Sequence, residues 1–439
     1  MDSPPNLSDL ASEVSLHAQI LERALKKQSP CEILQDPRGP KPYPRCPASE
    51  TIQHSRAALI NASMELYRLA LGPEDWLKMS VTYSKYDIVS LQVICHFQIA
   101  SAVPIPGEIS YHELSCKVDL PITRLQLVLG YAITTGVFRE SRPGYITHTP
   151  VSMILARDPE LASWVEHNCD EAFPAAAKLL GLLQDNPKAS DPSQSAFSAA
   201  FDNRGGLFDL YAQEPWRGAR FSRAMKGVTR GTLDAEHLVI GHDWALLRNG
   251  GVVVDVGGSL GHQSVAIAKH FSHLKFIVQD VDDFSEPCQH LANDQGVGSQ
   301  IEFQQVSFFD ANPVLGAEVY LVRHVCHDWP DQYVVKILRN LMRAASPTSE
   351  ILIVDSVVPP RVDERCFMER YLRSISLQMN VLFNALERTA EQWASVVQQA
   401  DPRWSIYCIT TPPGSMSSII DIRLTEKRSC NASGTKERS

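Results

Sequence analysis

Residues 252–262 read Val-Val-Val-Asp-Val-Gly-Gly-Ser-Leu-Gly-His. A run of apolar β-branched residues that ends in Asp255 and passes into Gly257, Gly258 and Gly261 is how a parallel-sheet strand delivers a ligand to a tight turn and the start of the next helix. Spacing limits what this turn can hold. The dinucleotide fingerprint G-x-G-x-x-G puts its second glycine where the backbone touches pyrophosphate, but counted from Gly257 this chain has Ser259 there and His262 at the third site. No Lys-Ser or Lys-Thr pair follows, so a triphosphate cradle is excluded. What remains is a nucleoside without a diphosphate, its ribose hydroxyls facing an acid at the end of the following strand. Asp280, closing Lys275-Phe-Ile-Val-Gln-Asp280, can accept both hydrogen bonds of a cis-diol; an Asp at such a place also serves as a plain loop cap.

The elements around the turn must place it. From Gly250 onward apolar strands alternate with helical segments: VVVDV, HQSVAIAKHF, KFIVQDV, EPCQHLANDQ, IEFQQV, VYLVR, a helix over 331–345, and EILIVDSVV. Such alternation predicts right-handed β-α-β crossovers, hence an α/β Rossmann-like sheet with helices on both faces and its ligand beyond the carboxyl ends of the strands. Upstream the pattern is helical. A helix over Leu10–Lys27 precedes the proline-rich connector DPRGPKPYPRCP, which marks off an N-terminal arm over 1–60. Residues 61–100 are helix-patterned. A short helix (Tyr111–Lys117), a turn at Asp119–Pro121, a longer helix (Thr123–Thr134) and two short strands around Arg142-Pro143-Gly144 then make a helix-turn-helix with a wing. The Ser-rich stretch QDNPKASDPSQSAFS (184–198) reads as a loop or linker, so the expected division is a mostly helical winged-helix-like domain over 61–198, a ligand-binding domain over 199–428 and a flexible tail over 429–439.

A winged segment suggests DNA, yet Gly107–His148 carries four Lys/Arg against four Asp/Glu, and the whole chain has a formal net charge of −9. Counterion displacement from phosphates needs clustered cations, so no nucleic-acid partner is expected. At 44% hydrophobic and 21% charged residues the composition is that of a globular protein. No apolar run approaches the roughly 20 residues of a bilayer span, and the start MDSPPNLSDLASEV lacks a signal-peptide pattern. The ten cysteines are scattered with no zinc spacing, which points to free thiols in a reducing cytoplasm and to no structural metal.

Asp255-Val-Gly-Gly-Ser-Leu-Gly261, Phe276-Ile-Val-Gln-Asp280, Val319-Tyr-Leu-Val-Arg323-His-Val-Cys-His327-Asp328-Trp329 and Glu387-Arg-Thr resemble, in order and spacing, the S-adenosylmethionine-dependent O-methyltransferases of plant and fungal secondary metabolism. The likeness covers about residues 60–425 and is strongest to the fungal branch that methylates polyketide phenols. It implies that the winged segment is a dimerisation domain, making the protein a homodimer. It also implies that Gly257, Gly258 and Gly261 line the methionine portion of the cofactor, that Asp280 holds its ribose, and that Arg323 belongs to the same site. Relatives usually place an Asp near the adenine where this chain has Ser307, which can exchange one hydrogen bond but carries no charge; Phe308 beside it is expected to stack on the ring or to be plain core.

Methyl transfer from a sulfonium to an oxygen is an in-line displacement in which the acceptor loses a proton, and a phenol of pKa about 10 does so reluctantly at neutral pH. His327, just past the end of VYLVR where ligands gather, suits the role of general base that the resemblance assigns it. One ring nitrogen must face the acceptor while a carboxylate holds the other. Two match the buttressing positions: Asp355, ending EILIVD, and Glu387. Asp is shorter by one methylene than the Glu usual at the first position, so Glu387 is the expected partner. Met225, Met379 and Asn384, with Phe383, either line an aromatic acceptor slot or are core. Two rival functions stay open: a methyltransferase-fold enzyme that binds the cofactor but promotes dehydration or pericyclic closure without methyl transfer, and a DNA-binding regulator.

Overall fold

The computed structural model describes residues 6–28, 50–203, 205–363 and 365–425. The connector and the tail expected at the two ends lie outside the described residues. Among the described residues ten strands form two sheets: β1 (Ile109–Ser110), β2 (Phe138–Arg142) and β3 (Tyr145–His148) in one, and β4 (Val252–Val256), β5 (Lys275–Asp280), β6 (Ile301–Gln305), β7 (Val319–Arg323), β8 (Glu350–Asp355), β9 (Trp404–Thr410) and β10 (Ser418–Leu424) in the other. The large sheet has the order β6-β5-β4-β7-β8-β10-β9. Its first five strands are parallel, and β10 runs antiparallel between β8 and β9.

Strand alternation explains why this sheet needs helices on both faces. Val254, Val256, Tyr320, Val322, Ile351 and Ile353 point into one core, shared with the helices Asp331–Ala344 and Ala390–Ala400. Their neighbours Val253, Val319, Leu321, Leu352 and Val354 point into the other, shared with Val265, Ile267, Cys288 and Ala292. A strand apolar on both faces cannot meet water on either, which is why VVVDV and EILIVD read as continuous apolar runs. The helix Asp331–Ala344 buries Val334, Val335, Leu338, Leu341 and Met342, a stripe at helical period that lays it flat on the sheet.

The helix-turn-helix and wing form as read. The Ser110 side chain and Glu113 make a reciprocal capping box that starts the helix Tyr111–Val118, Asp119 ends it in left-handed backbone, and the helix Ile122–Thr134 follows. Leu114, Leu125, Leu129, Phe138 and Ile146 are buried together, and β2 and β3 form the wing. Upstream, the helix Leu7–Gln28 packs against a long helix, Glu50–His96, whose Gly72-Pro73 step breaks the helical backbone.

The stretch 184–198, read as a loop or linker, is loop over residues 186–191, then closes into the turn Pro192–Gln194, and Ser195 caps the helix Ala196–Phe201. Ser195, Ala196 and Phe197 are buried, because the small serines cap and turn the chain while Phe197 joins Leu207, Leu210 and Phe383 in a further core.

The helices Pro159–His167 and Pro215–Val228 meet closely enough that a Cβ on Gly227 would stand 2.6 Å from the Glu160 carbonyl oxygen. Gly227→Ala should therefore lower the urea midpoint, at a cost of about 1–3 kcal/mol for the forced separation. Gly130, inside the helix Ile122–Thr134 with nothing within 4 Å of its added Cβ, gives the opposite sign: Gly130→Ala should gain ~0.5–1 kcal/mol in the same measurement.

Candidate active site

The glycine turn leaves β4 with three residues in left-handed backbone, Gly257 (φ 71°), Ser259 (φ 50°) and Gly261 (φ 76°). Two N–H groups, of Gly257 and Gly258, donate to the Gln279 carbonyl at 2.8 and 3.0 Å, which pins the turn to the end of β5. Space dictates glycine here as much as conformation does. A Cβ at position 257 would lie 2.8 Å from Val325 Cγ2 and one at 258 would lie 2.6 Å from the Asp255 carboxyl carbon. Asp255 itself is fully buried and accepts the Ser264 hydroxyl at 2.6 Å; burial pushes its pKa up to about 6.

Asp280 stands at the same sheet edge. The Ser259 N–H donates to its Oδ2 at 3.0 Å and the Val281 N–H to its Oδ1 at 2.8 Å, so the carboxylate is aimed and partly satisfied while keeping lone pairs for a diol. Burial raises its pKa. The Phe308 ring lies 3.7 Å from where a Gly257 Cβ would be, closing one side of the turn. Ser307 accepts the Phe309 N–H at 3.2 Å and keeps a hydroxyl proton to donate. The guanidinium of Arg323, at the end of β7, is tied to the Leu233 carbonyl, and burial lowers its pKa. A collar of glycine backbone, an aimed carboxylate and an aromatic lid fits a nucleoside without a diphosphate.

Beyond β7 the chain turns through His324 in left-handed backbone (φ 50°) and makes one tight turn at Cys326–Asp328 that carries His327. The His327 Nδ1 stands 2.8 Å from Glu387 Oε1, and its other nitrogen, Nε2, stands 3.6 Å from Asp328 Oδ1. Glu387 is buried, held by a hydrogen bond from its own N–H to the Ser376 hydroxyl at 3.2 Å. Burial works against the charged ring of His327, but Glu387, then Asp328 and Asp355, outweigh it and push its pKa up to about 10. Asp328 is driven up to about 6 by burial, with His327 pulling the other way. The His324 ring, its centroid 5.6 Å from that of His327, is bonded to the Ser417 hydroxyl at 2.8 Å, and burial drives its pKa well down.

The two carboxylates proposed to buttress His327 are thus unequal. Only Glu387 makes the hydrogen bond. Asp355 at the end of β8 is fully buried with neither side-chain oxygen bonded, and it acts on the imidazole through its field. Burial raises its pKa to about 7.

A cavity of about 180 Å³ opens beside this turn, with Asp328, Trp329, Tyr333, Phe208 and Phe383 in its wall. Phe208 stacks on Phe383 and Trp329, with ring centroids 5.5 and 6.3 Å away. Of the four acceptor-slot candidates Phe383 is in that wall, and Met225, Met379 and Asn384 are not. Met379 is buried in the core that Phe383 shares, and Met225 is half-buried on the helix Pro215–Val228. Asn384 ends the helix Phe367–Phe383 in left-handed backbone and donates to the Asp191 carbonyl at 2.8 Å. Sequence reasoning gave no role to Asp328 or Trp329, although both lie inside the His-Asp-Trp motif, and missed Phe208 and Tyr333, which come from segments distant from one another.

Asp355 supplies a signed test. An acid whose pKa is raised by folding costs stability above that pKa and nothing below its unfolded value near 3.9. Asp355→Asn should therefore stabilise the protein at pH 8 by on the order of 2 kcal/mol more than at pH 5, read from urea unfolding at the two pH values.

Comparison with known proteins agrees with this geometry. Residues 183–401 match a family described as an O-methyltransferase domain. The chain is 38% identical to O-methyltransferase bfoD of Aspergillus brasiliensis, over 83% of this chain and 87% of that one. It is 35% identical to the chlorophenol O-methyltransferase of Trichoderma longibrachiatum, over 87% of this chain and 82% of the other. Among solved structures, OxaC superposes with a TM-score of 0.76 at 22% identity, covering 95% of this chain and 99% of its own, a likeness of fold. The chain belongs to the O-methyltransferases of fungal secondary metabolism, enzymes whose methyl donor is S-adenosylmethionine.

Proposed function

We propose that this enzyme methylates a phenolic hydroxyl of a secondary metabolite, a polyketide phenol, with His327 as the general base. The observation that carries the reading is the 2.8 Å contact between His327 Nδ1 and the buried Glu387, which leaves Nε2 as the nitrogen free to take a proton, next to Asp328 and Trp329 of the cavity wall. The name of the chlorophenol-methylating relative supports a phenol as the acceptor. Gly257, Gly258, Gly261, Asp280, Ser307 and Phe308 would hold the nucleoside, with Arg323 bracing the end of β7. Bound S-adenosylmethionine supplies a methyl group on a positively charged sulfur, poised to leave it as a neutral thioether. His327 Nε2 takes the phenolic proton, Glu387 holds Nδ1–H and stabilises the imidazolium, and the acceptor oxygen is left with the electron pair that forms the new C–O bond. The rival reading, cofactor binding without transfer, has no use for a base steadied by a buried carboxylate.

The protein is also proposed to act as a homodimer. Tyr67, Trp76, Leu77, Val81, Tyr83 and Tyr86 are exposed along the helix Glu50–His96, more apolar surface than one helix normally leaves to water. Sedimentation velocity should show a dimer, and a monomer at every concentration would end that part of the proposal.

With radiolabelled donor and a panel of polyketide phenols, His327→Ala should lower kcat by about 10²–10⁴-fold and leave donor affinity nearly unchanged. A base raised to about 10 is mostly protonated at neutral pH, so turnover of the native enzyme should climb between pH 7 and 10. Glu387→Gln removes the carboxylate bonded to that ring; the maximum rate should fall while the rise moves to lower pH.

A further inference from the structure

The residue after Glu387 is Arg388, and its side chain is fully buried. Its guanidinium reaches three acceptors around the His327 turn: Nη1 donates to the Cys326 carbonyl at 3.0 Å, Nη2 to the Trp329 carbonyl at 2.7 Å and Nε to Asp331 Oδ1 at 2.8 Å. These are the residue before the histidine, the residue that closes the turn, and the first residue of the helix Asp331–Ala344. The Cys326 carbonyl also accepts the Trp329 N–H at 3.2 Å, so both of its lone pairs are committed. The other side of Arg388 is anchored too, its own carbonyl accepting the Val358 N–H at 2.9 Å while the guanidinium lies 5.1 Å from the centre of the Trp393 ring.

We propose that Arg388 is a positioning residue: it fixes the turn that carries His327 to the same two-residue segment whose Glu387 holds the imidazole. The inference rests on His327 being the base. A buried cation is an expensive way to stabilise a fold, since well-packed apolar residues of similar volume often do as well or better. A rigid planar fork that grips three acceptors in fixed directions is something no apolar side chain provides. Because Glu387 and Arg388 are consecutive, the ring contact and the turn contacts belong to one stiff unit, and the position of the imidazole is set at both its edge and its backbone.

The test measures kcat, KM and donor affinity for Arg388→Ala, Asp331→Ala and His327→Ala. Arg388→Ala should lose about 100-fold in kcat, the scale of a misplacement near 1 Å, with KM and donor Kd little changed. Added guanidinium ion should restore part of that kcat saturably, and methylammonium should not. Asp331, half-exposed at a helix start, can be replaced without opening the core, so Asp331→Ala keeps the test valid even if Arg388→Ala fails to fold; it should show a smaller loss confined to kcat. Wild-type kcat in Asp331→Ala together with an unfolded or fully active Arg388→Ala overturns the proposal, as does a loss that falls on KM or donor affinity alone. Native turnover by His327→Ala sinks the base reading itself, whereas a crippled His327→Ala beside an active Arg388→Ala sinks only the positioning role of Arg388.

Discussion

The hydrogen bond between His327 and Glu387 is the constraint around which the catalytic end of the sheet is arranged. A carboxylate buried this deeply is tolerable only if something positive or strongly donating faces it, and an imidazole is tolerable beside three acids only if it accepts a proton readily. Each solves the other's problem. The result is a pocket of negative field, with Asp328 and Asp355 adding to Glu387, that welcomes one positive charge. In the proposed reaction the positive charge brought by the methyl donor would end on the imidazolium of His327, so the same field would serve both ends of the reaction.

Much of this was legible in the chain. Alternating apolar strands and helices gave the sheet and its two covered faces, and the spacing of Gly257, Gly258 and Gly261 to Asp280 gave a nucleoside rather than a dinucleotide. Helical period, the turn at Asp119–Pro121 and the short strands around Arg142-Pro143-Gly144 gave the winged segment. These features are local, and local sequence patterns express them directly. Side-chain length alone favoured Glu387 over Asp355 as the partner of His327, and Glu387 makes the hydrogen bond. What stayed hidden has a different origin. The Ser-rich stretch 184–198 reads as a loop or linker by composition, but the partners that bury Phe197 come from elsewhere in the chain. Arg388 stands in the Glu387-Arg-Thr motif, but its contacts gave no signal in one dimension, since its three acceptors are two backbone carbonyls and a helix-start acid about sixty positions away.

The helical layer contributes more than a cover. Phe208 reaches across to stack on Trp329, next to the catalytic turn, and on Phe383, at the end of a helix more than fifty residues further along. Tyr333 donates to the Asp191 side chain and Asn384 to its carbonyl, so the segment that resembles a linker by composition is latched to both walls of the cavity. Shape and aromatic character of this cavity are thus decided by packing between segments, whereas the proposed base and its carboxylate stand at the end of the sheet. Substrate preference can change through the former without disturbing the latter.

The adjacency of Glu387 and Arg388 has a consequence for how this enzyme can diverge. A strand register or a surface loop can absorb an inserted residue by shifting its neighbours, but a single insertion between positions 384 and 389 would move the ring partner and the turn clamp together, with no compensating slide available. Length variation among descendants of this gene should accordingly be barred from that short segment.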